Sequence, residues 1–407
     1  ITLRSGFGPG TFNNVGGTLA VAAGRTGSLS VENVNFSGNS VFDTSAPGSS
    51  FVLAPAVSAS YAGSLDVAGN GVTFSAGGAM HMVADGTILN GNMTLAGGAM
   101  QLGSVQILGD FVHTGGSLAT GAGKTVNVVS GGSLTLANGA TFGGTGSLIN
   151  EGTVNFSNNT LAHAIQNSGA MALNGANIFT GSSFMHDGGT LTLASAGALT
   201  KSGGLFQWTG GDLQGVGAGL SLTGGATATI SGGGSKVLNG VNVTATSTDV
   251  VTGTLEVQAG NLSAGVTTIA AGATLLHSGG SLVTGALTNN GTFQHTGTGS
   301  SFINGGGTHT GTFIADTGAG IEFSGGAHVF NGATFSGGGS FSRTGATMTV
   351  GAGGLTVDNG TAINLNALAL GGTGPITNNG SVAANGIVWG GNFTNGSTGT
   401  LQMTNGG

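Results

Sequence analysis

Cysteine is absent, so the chain has no disulfide and no thiolate metal site, a composition compatible with secretion from a bacterium. Charge is scarce. Only 5% of the 407 residues are Asp, Glu, Lys or Arg, against about 25% in ordinary globular proteins. The six cations, Arg4, Arg25, Lys124, Lys201, Lys236 and Arg343, are scattered. Phosphate binding needs basic clusters, so nucleic acid is set aside as a partner. Long apolar runs are missing too, and no stretch approaches the ~20 apolar residues of a spanning helix. A membrane barrel needs regular alternation with aromatic girdles, yet the sequence has one tyrosine, Tyr61, and two tryptophans, Trp208 and Trp389. No membrane insertion is expected. Helical windows are missing, because Gly, Asn, Thr and Ser interrupt every stretch and each Gly costs about 1 kcal/mol in a helix. The signature of disorder, low hydrophobicity with high charge, is missing as well: 38% of residues are hydrophobic and the mean hydropathy is +0.30. The chain is expected to fold.

Glycine is what the sequence has in excess, with 88 residues against 4 prolines and no Gly-X-Y period, which excludes collagen. Between the glycines lie short alternating segments of Thr, Val, Leu, Ile and Phe, each closed by Gly or Asn-Gly. That is a strand-and-turn chain. Phrases recur. "GGAM" occurs at Gly77–Met80 and again at Gly97–Met100. Paired glycines follow at Gly77, Gly97, Gly115 and Gly131. A second phrase runs "LINEGTV" from Leu148, "IQNSGAM" from Ile165, "LTNNGTF" from Leu287 and "ITNNGSV" from Ile376, with "FTNGSTG" following from Phe393. A third, "NGATF", occurs at Asn138 and Asn331. The period is loose, in the high teens to low twenties.

A loose period of about twenty residues with Gly or Asn at every corner reads as all-β, a right-handed parallel β-helix (β-solenoid) of about twenty coils. An antiparallel sandwich is the competing architecture, but the phrases persist from end to end with no linker. The expectation is a single continuous solenoid over 1–407. The Pro-containing stretch 43–63 is expected to be a loop or lateral excursion. Equivalent positions stack at about 4.8 Å per coil, so inward apolar residues form ladders and inward Asn forms hydrogen-bonded ladders. In "GGAMHM" Met80 and Met82 share a face that is expected to point inward, with His81 outward and Met80 stacked on Met100.

From about residue 190 to 293 the phrasing resembles the repeats of large bacterial surface proteins, the filamentous-haemagglutinin-like and autotransporter-type adhesins. The elements that carry the likeness are Phe206, Trp208, Gly210, Gly211, Leu213 and Gly215, then "TTIAAGATL" (residues 267–275) and "LTNNGTF". The resemblance implies a secreted right-handed β-helix used as a stalk or adhesive rod.

Chemistry is sparse. The 13 acids lie singly along the chain, whereas glycoside hydrolysis needs two carboxylates about 5–10 Å apart. No catalytic, cofactor-binding or metal residue is assigned and no enzyme is expected. "TGGDLQGVG" from Thr209 is the nearest phrase to a calcium-binding repeat and lacks its pattern. The 8 histidines are read as outward polar residues, with stacked histidines as a metal site the competing reading. Trp208 shares a face with Phe206 and is expected in a coil interior. "TATATI"-like phrases are too irregular for an ice-binding face. The chain begins at Ile1 without Met or a signal peptide, which reads as a mature product, a processed chain or a fragment. Neither end resembles a capping helix or a charged lid. Either a longer rod has been cut or ends join head to tail. The expected function is a structural, non-catalytic extracellular or cell-surface solenoid, a fibre subunit whose partner is itself. The alternatives are a cell-surface adhesin stalk binding glycans or host surfaces, and a carbohydrate-active enzyme.

Overall fold

A computed structural model describes residues 2–4, 10–75, 80–137, 140–194, 198–366, 370–385 and 389–404. The described residues form short strands and turns, with no helix. Every strand pairing among them is parallel, and the result is a β-solenoid of about 19 turns. Register partners lie 17 to 26 residues apart, from Asn150↔Asn167 to Thr2↔Ser28. The expected period and architecture are borne out. Two compact units divide the chain, Ile1–Gly204 and Leu205–Gly407.

In Ile1–Gly204 the coils have three strands, and strands pair with the one three places later until Ser183–Leu193, a fused strand that pairs with both Ala164–Asn167 and Ala170–Asn174. Strand side chains alternate faces, so alternate residues face the interior and stack in ladders. On one face Leu29, Leu53, Phe74, Leu95, His113, Leu136, Phe156, Leu173 and Leu193 follow one another in register. All are buried. Burying one such aliphatic or aromatic side chain contributes about 1.5–3 kcal/mol, and no coil could bury its own without the next. Glycines in the left-handed region turn the corners. Gly98 and Gly116 (φ 79° and 81°) occupy one corner in successive coils, and a Cβ on Gly116 would lie 2.2 Å from the Gly98 carbonyl oxygen.

Leu205–Gly407 is built the same way, and in its first coils strands fuse around the corners into long ones such as Ser235–Val250 and Thr254–Ile269. One of its inward ladders runs Leu255, Leu275, Phe293, Phe313, Phe335 and Val357.

Two expectations are corrected here. Residues 43–63 make no excursion: they supply the strands Ser50–Leu53 and Ser58–Tyr61, both in register with their neighbours. Pro47 and Pro55 sit between strands, where a missing N–H removes no ladder bond. Second, Met80 and Met82 point outward, 49% and 45% exposed, and His81 points inward. Met80 faces Ala99, and it is His81 that faces Met100. A one-residue shift of parity exchanges the two faces of a strand. The paired glycines do not all mark one corner. Gly115 and Gly116 precede Ser117–Thr120, and Gly131 and Gly132 precede Ser133–Leu136, which lies in a different sheet. With three corners per coil, paired glycines recur at more than one of them. Gly77 and Gly78 lie outside the described residues.

Candidate functional site: interior polar ladders

The polar residues with the most constrained surroundings lie inside the coils. All eight histidines are buried, six of them completely, which overturns their reading as outward groups. The cause is strand alternation. His113 shares its face with Phe111, His186 with Phe184, His295 with Phe293 and His328 with Phe330. The large apolar residue two places away carries the histidine inward. That signal was present in "FVH", "FMH", "FQH" and "HVF".

Each ring then finds what the interior offers. The Tyr61 hydroxyl and His81 Nδ1 are 2.8 Å apart, with rings stacked at 5.9 Å. Burial pushes His81 down to about 4 and raises Tyr61 well above its usual value, so both are neutral at neutral pH. His163 packs 4.1 Å from Phe142, and burial lowers it to about 4. Burial also lowers His113, against the opposing pull of the Gly115 and Gly116 backbone. In the second unit His277 and His295 are register partners, their rings stacked at 4.8 Å. Burial, and then the neighbouring His295, lower His277. His309 Nε2 and His328 Nδ1 are 2.9 Å apart. Burial lowers His309 to about 3, with a further contribution from His328, and burial lowers His328 as well.

Asparagine ladders form as expected. Asn150 Nδ2 donates to Asn167 Oδ1 at 2.6 Å, and Asn167 Nδ2 lies 3.1 Å from His186 Nδ1. Asn378 Nδ2 donates to Asn395 Oδ1 at 2.7 Å. Both steps join successive copies of the Asn-containing phrase. Two lysines are also interior. Lys201 Nζ donates to the Gly181 carbonyl at 2.6 Å and to that of Gly203, and Lys236 Nζ donates to the carbonyls of Gly232 and Gly233 at 3.0 Å. Burial lowers both. Sequence reasoning left these lysines as scattered charges with no assigned place.

The carboxylates do the opposite job, on the outside. Asp66 accepts from Asn90, Asp110 from Ser133, Asp187 from Gln166 and Ser168, Glu256 from Ser278, Asp316 from Gln294 and Glu322 from Thr344. Each bond joins adjacent coils. Asp85 spans further, meeting Lys124 at 2.5 Å. Apart from Asp85, these acids are tied to neutral partners, and no acid stands in register with another among the described pairings of Asp66, Asp110, Glu256 and Glu322. Among the described residues no three His, Asp or Glu side chains converge as a metal-binding group. Trp208 is buried as expected, its Nε1 donating to the Gly211 carbonyl at 3.1 Å. "TGGDLQGVG" lies in the strand Leu205–Thr223, whose register shifts between Gln214 and Ala218.

One cavity lies in the last coils. It has a volume of about 420 Å³ and is lined by Leu365, Val382, Trp389, Leu401 and Met403, among others. Leu401 and Met403 continue the inward ladders Ile363–Val382–Leu401 and Leu365–Ala384–Met403, yet they are 41% and 55% exposed. The strand Thr400–Thr404 pairs with Ser381–Asn385 on one side, and its other edge carries no strand among the described residues.

No family model, curated protein or solved structure matches this chain.

Proposed function

We propose that this chain is a structural, non-catalytic module of an extracellular or cell-surface rod that joins end to end with further copies of itself. The observation that carries the reading is the in-register stacking of coils, in which Ile363 meets Val382 and then Leu401, and Leu365 meets Ala384 and then Met403. A coil of a second copy laid in register on Thr400–Thr404 would cover Leu401 and Met403 in the way that each coil covers the one before it. A head-to-tail contact of this kind does not close on itself and produces an open filament. The inter-coil use of the carboxylates supports the non-catalytic part, because those groups are already engaged in holding coils together. The resemblance of residues 190–293 to repeats of secreted surface adhesins supports the location.

Sedimentation velocity on Leu401→Lys and Met403→Lys tests the contact. A buried lysine without a partner costs several kcal/mol, so both variants are expected to lose the large species that the native chain forms. Val216→Lys, at a position 97% exposed, is expected to keep them. Retention of the native size distribution by both end-coil variants would sink the proposal.

A further inference from the structure

The four histidines of the second unit stand closer together than those of the first. His277, His295, His309 and His328 lie within residues 277–328, whereas no stretch of that length in Ile1–Gly204 holds more than two. They also touch one another in pairs, and the hydrogen bonds fix where the protons are. A carbonyl only accepts, so His328 Nε2, 3.0 Å from the Gly325 oxygen, carries a proton. Neutral His328 therefore has a bare Nδ1, and His309 Nε2–H donates to it across 2.9 Å. His309 Nδ1 is then bare, buried and without a hydrogen-bond partner. By the same logic His295 Nδ1–H donates to the His277 carbonyl at 2.9 Å, and His295 Nε2 is bare and buried.

This arrangement accommodates neutral rings only. A proton added to His328 enters at Nδ1, where the His309 N–H already points, and sets two donors against each other. A proton added to His309 enters at the buried, unpartnered Nδ1 of a ring whose centre lies 5.0, 5.1 and 6.5 Å from the ring centres of Phe313, Phe330 and Phe323. Charged groups on the surrounding strands do not compensate. Glu322 is engaged with Thr344, Asp316 with Gln294 and Glu256 with Ser278. Arg343 is a cation, its Nε donating to the Ala346 carbonyl, and Lys236 is held by Gly232 and Gly233. An imidazolium here has no anionic partner, which is a costly state for a buried charge.

We propose that residues 277–328 form an acid-opened seam, a run of consecutive coils that unzips locally and reversibly on mild acidification while the coils of Ile1–Gly204 remain closed. Local opening is natural in a solenoid, where each coil contacts only its neighbours. Opening this run exposes three histidines that burial holds neutral, His277, His309 and His328, against at most two for an equal length of the first unit. The pH dependence of an opening equilibrium grows with the number of protons taken up.

Hydrogen–deuterium exchange with mass spectrometry on the full chain, between pH 7.5 and 4.5 and corrected for intrinsic exchange, tests the seam. Peptides covering Thr274–His277, Thr292–His295, Thr312–Ala315 and Ala327–Phe330 are expected to lose protection first. Their opening constant is expected to rise about tenfold or more per pH unit beyond that of peptides covering residues 133–174. Two variants remove the titration, His309→Leu with His328→Leu, and His328→Gln alone. Each is expected to move seam opening to lower pH by about a unit. Loss of protection at the same pH in both units, or an unmoved midpoint in a variant folded at pH 7.5, overturns the seam. Should both variants fail to fold at pH 7.5, the exchange map of the native chain decides alone.

Discussion

Truncating Met80 and Met100 to alanine isolates the register of the first unit, because the two residues end the same phrase and face opposite ways. Met100 is 2% exposed and stands in the inward ladder between His81 and Leu118. Its removal leaves a cavity in a stack whose neighbours are held by backbone ladders above and below, so relaxation is limited. The expected cost of Met100→Ala is about 2–5 kcal/mol. Met80 is 49% exposed and lies between Ser58 and Ala99 on the outer surface. Met80→Ala is expected to stay within about 0.5 kcal/mol of the native chain. Urea unfolding followed by Tyr61 fluorescence reads the first unit, since Trp208 and Trp389 lie in the second. Peroxide oxidation with peptide mapping gives an independent check: Met80 and Met82 react rapidly and Met100 slowly. Equal costs for the two substitutions, or a larger cost at Met80, would refute the assigned faces and with them the inward position of His81.

Acid is expected to weaken the first unit as well. His81 and His163 are lowered to about 4 from an ordinary 6.5. The unfolded chain therefore binds more protons than the folded one between those values. Their contribution is intact above about pH 6.5 and falls as the pH drops toward 4, by about 2 kcal/mol each at pH 5; thermal unfolding of a chain truncated to 1–204 or of the whole chain at pH 7.5 and 5 measures it. Asn167→Leu breaks the chain Asn150–Asn167–His186 and is expected to cost about 1–3 kcal/mol, read as a lowered urea midpoint. Gly305→Ala is expected to cost about 2–3 kcal/mol or more, because its Cβ would lie 0.8 Å from the Gly285 carbonyl oxygen. Gly233→Ala, which meets nothing within 4 Å, is expected to be near neutral in the same melting experiment.

The repeat was legible because stacking requires it: the Asn of "LINEGTV" and "IQNSGAM" recur at the spacing of one coil, and Asn150 and Asn167 do bond. The interior placement of Trp208 was legible from its parity with Phe206. Parity also held the answer for the histidines, and there polarity was weighted above it. In a chain whose interior is one ladder deep, a neutral imidazole fits beside Phe or Leu if it finds an acceptor or a ring, as His309 does with His328 and Phe313. Met80 was misread because the strand Met80–Val83 has apolar residues on both faces, and the buried pair His81 and Val83 includes the more polar one. Prolines suggested an excursion at 43–63, yet a coil has corners that accept them. The inward lysines Lys201 and Lys236 left no periodic signal; they are identified only by the turn carbonyls that they meet.

End-to-end joining is tested most directly by electron microscopy of the purified 407-residue chain across a range of concentrations. The account predicts thin unbranched fibres of constant width whose mean length grows with concentration. Isolated particles of one length at every concentration would contradict it.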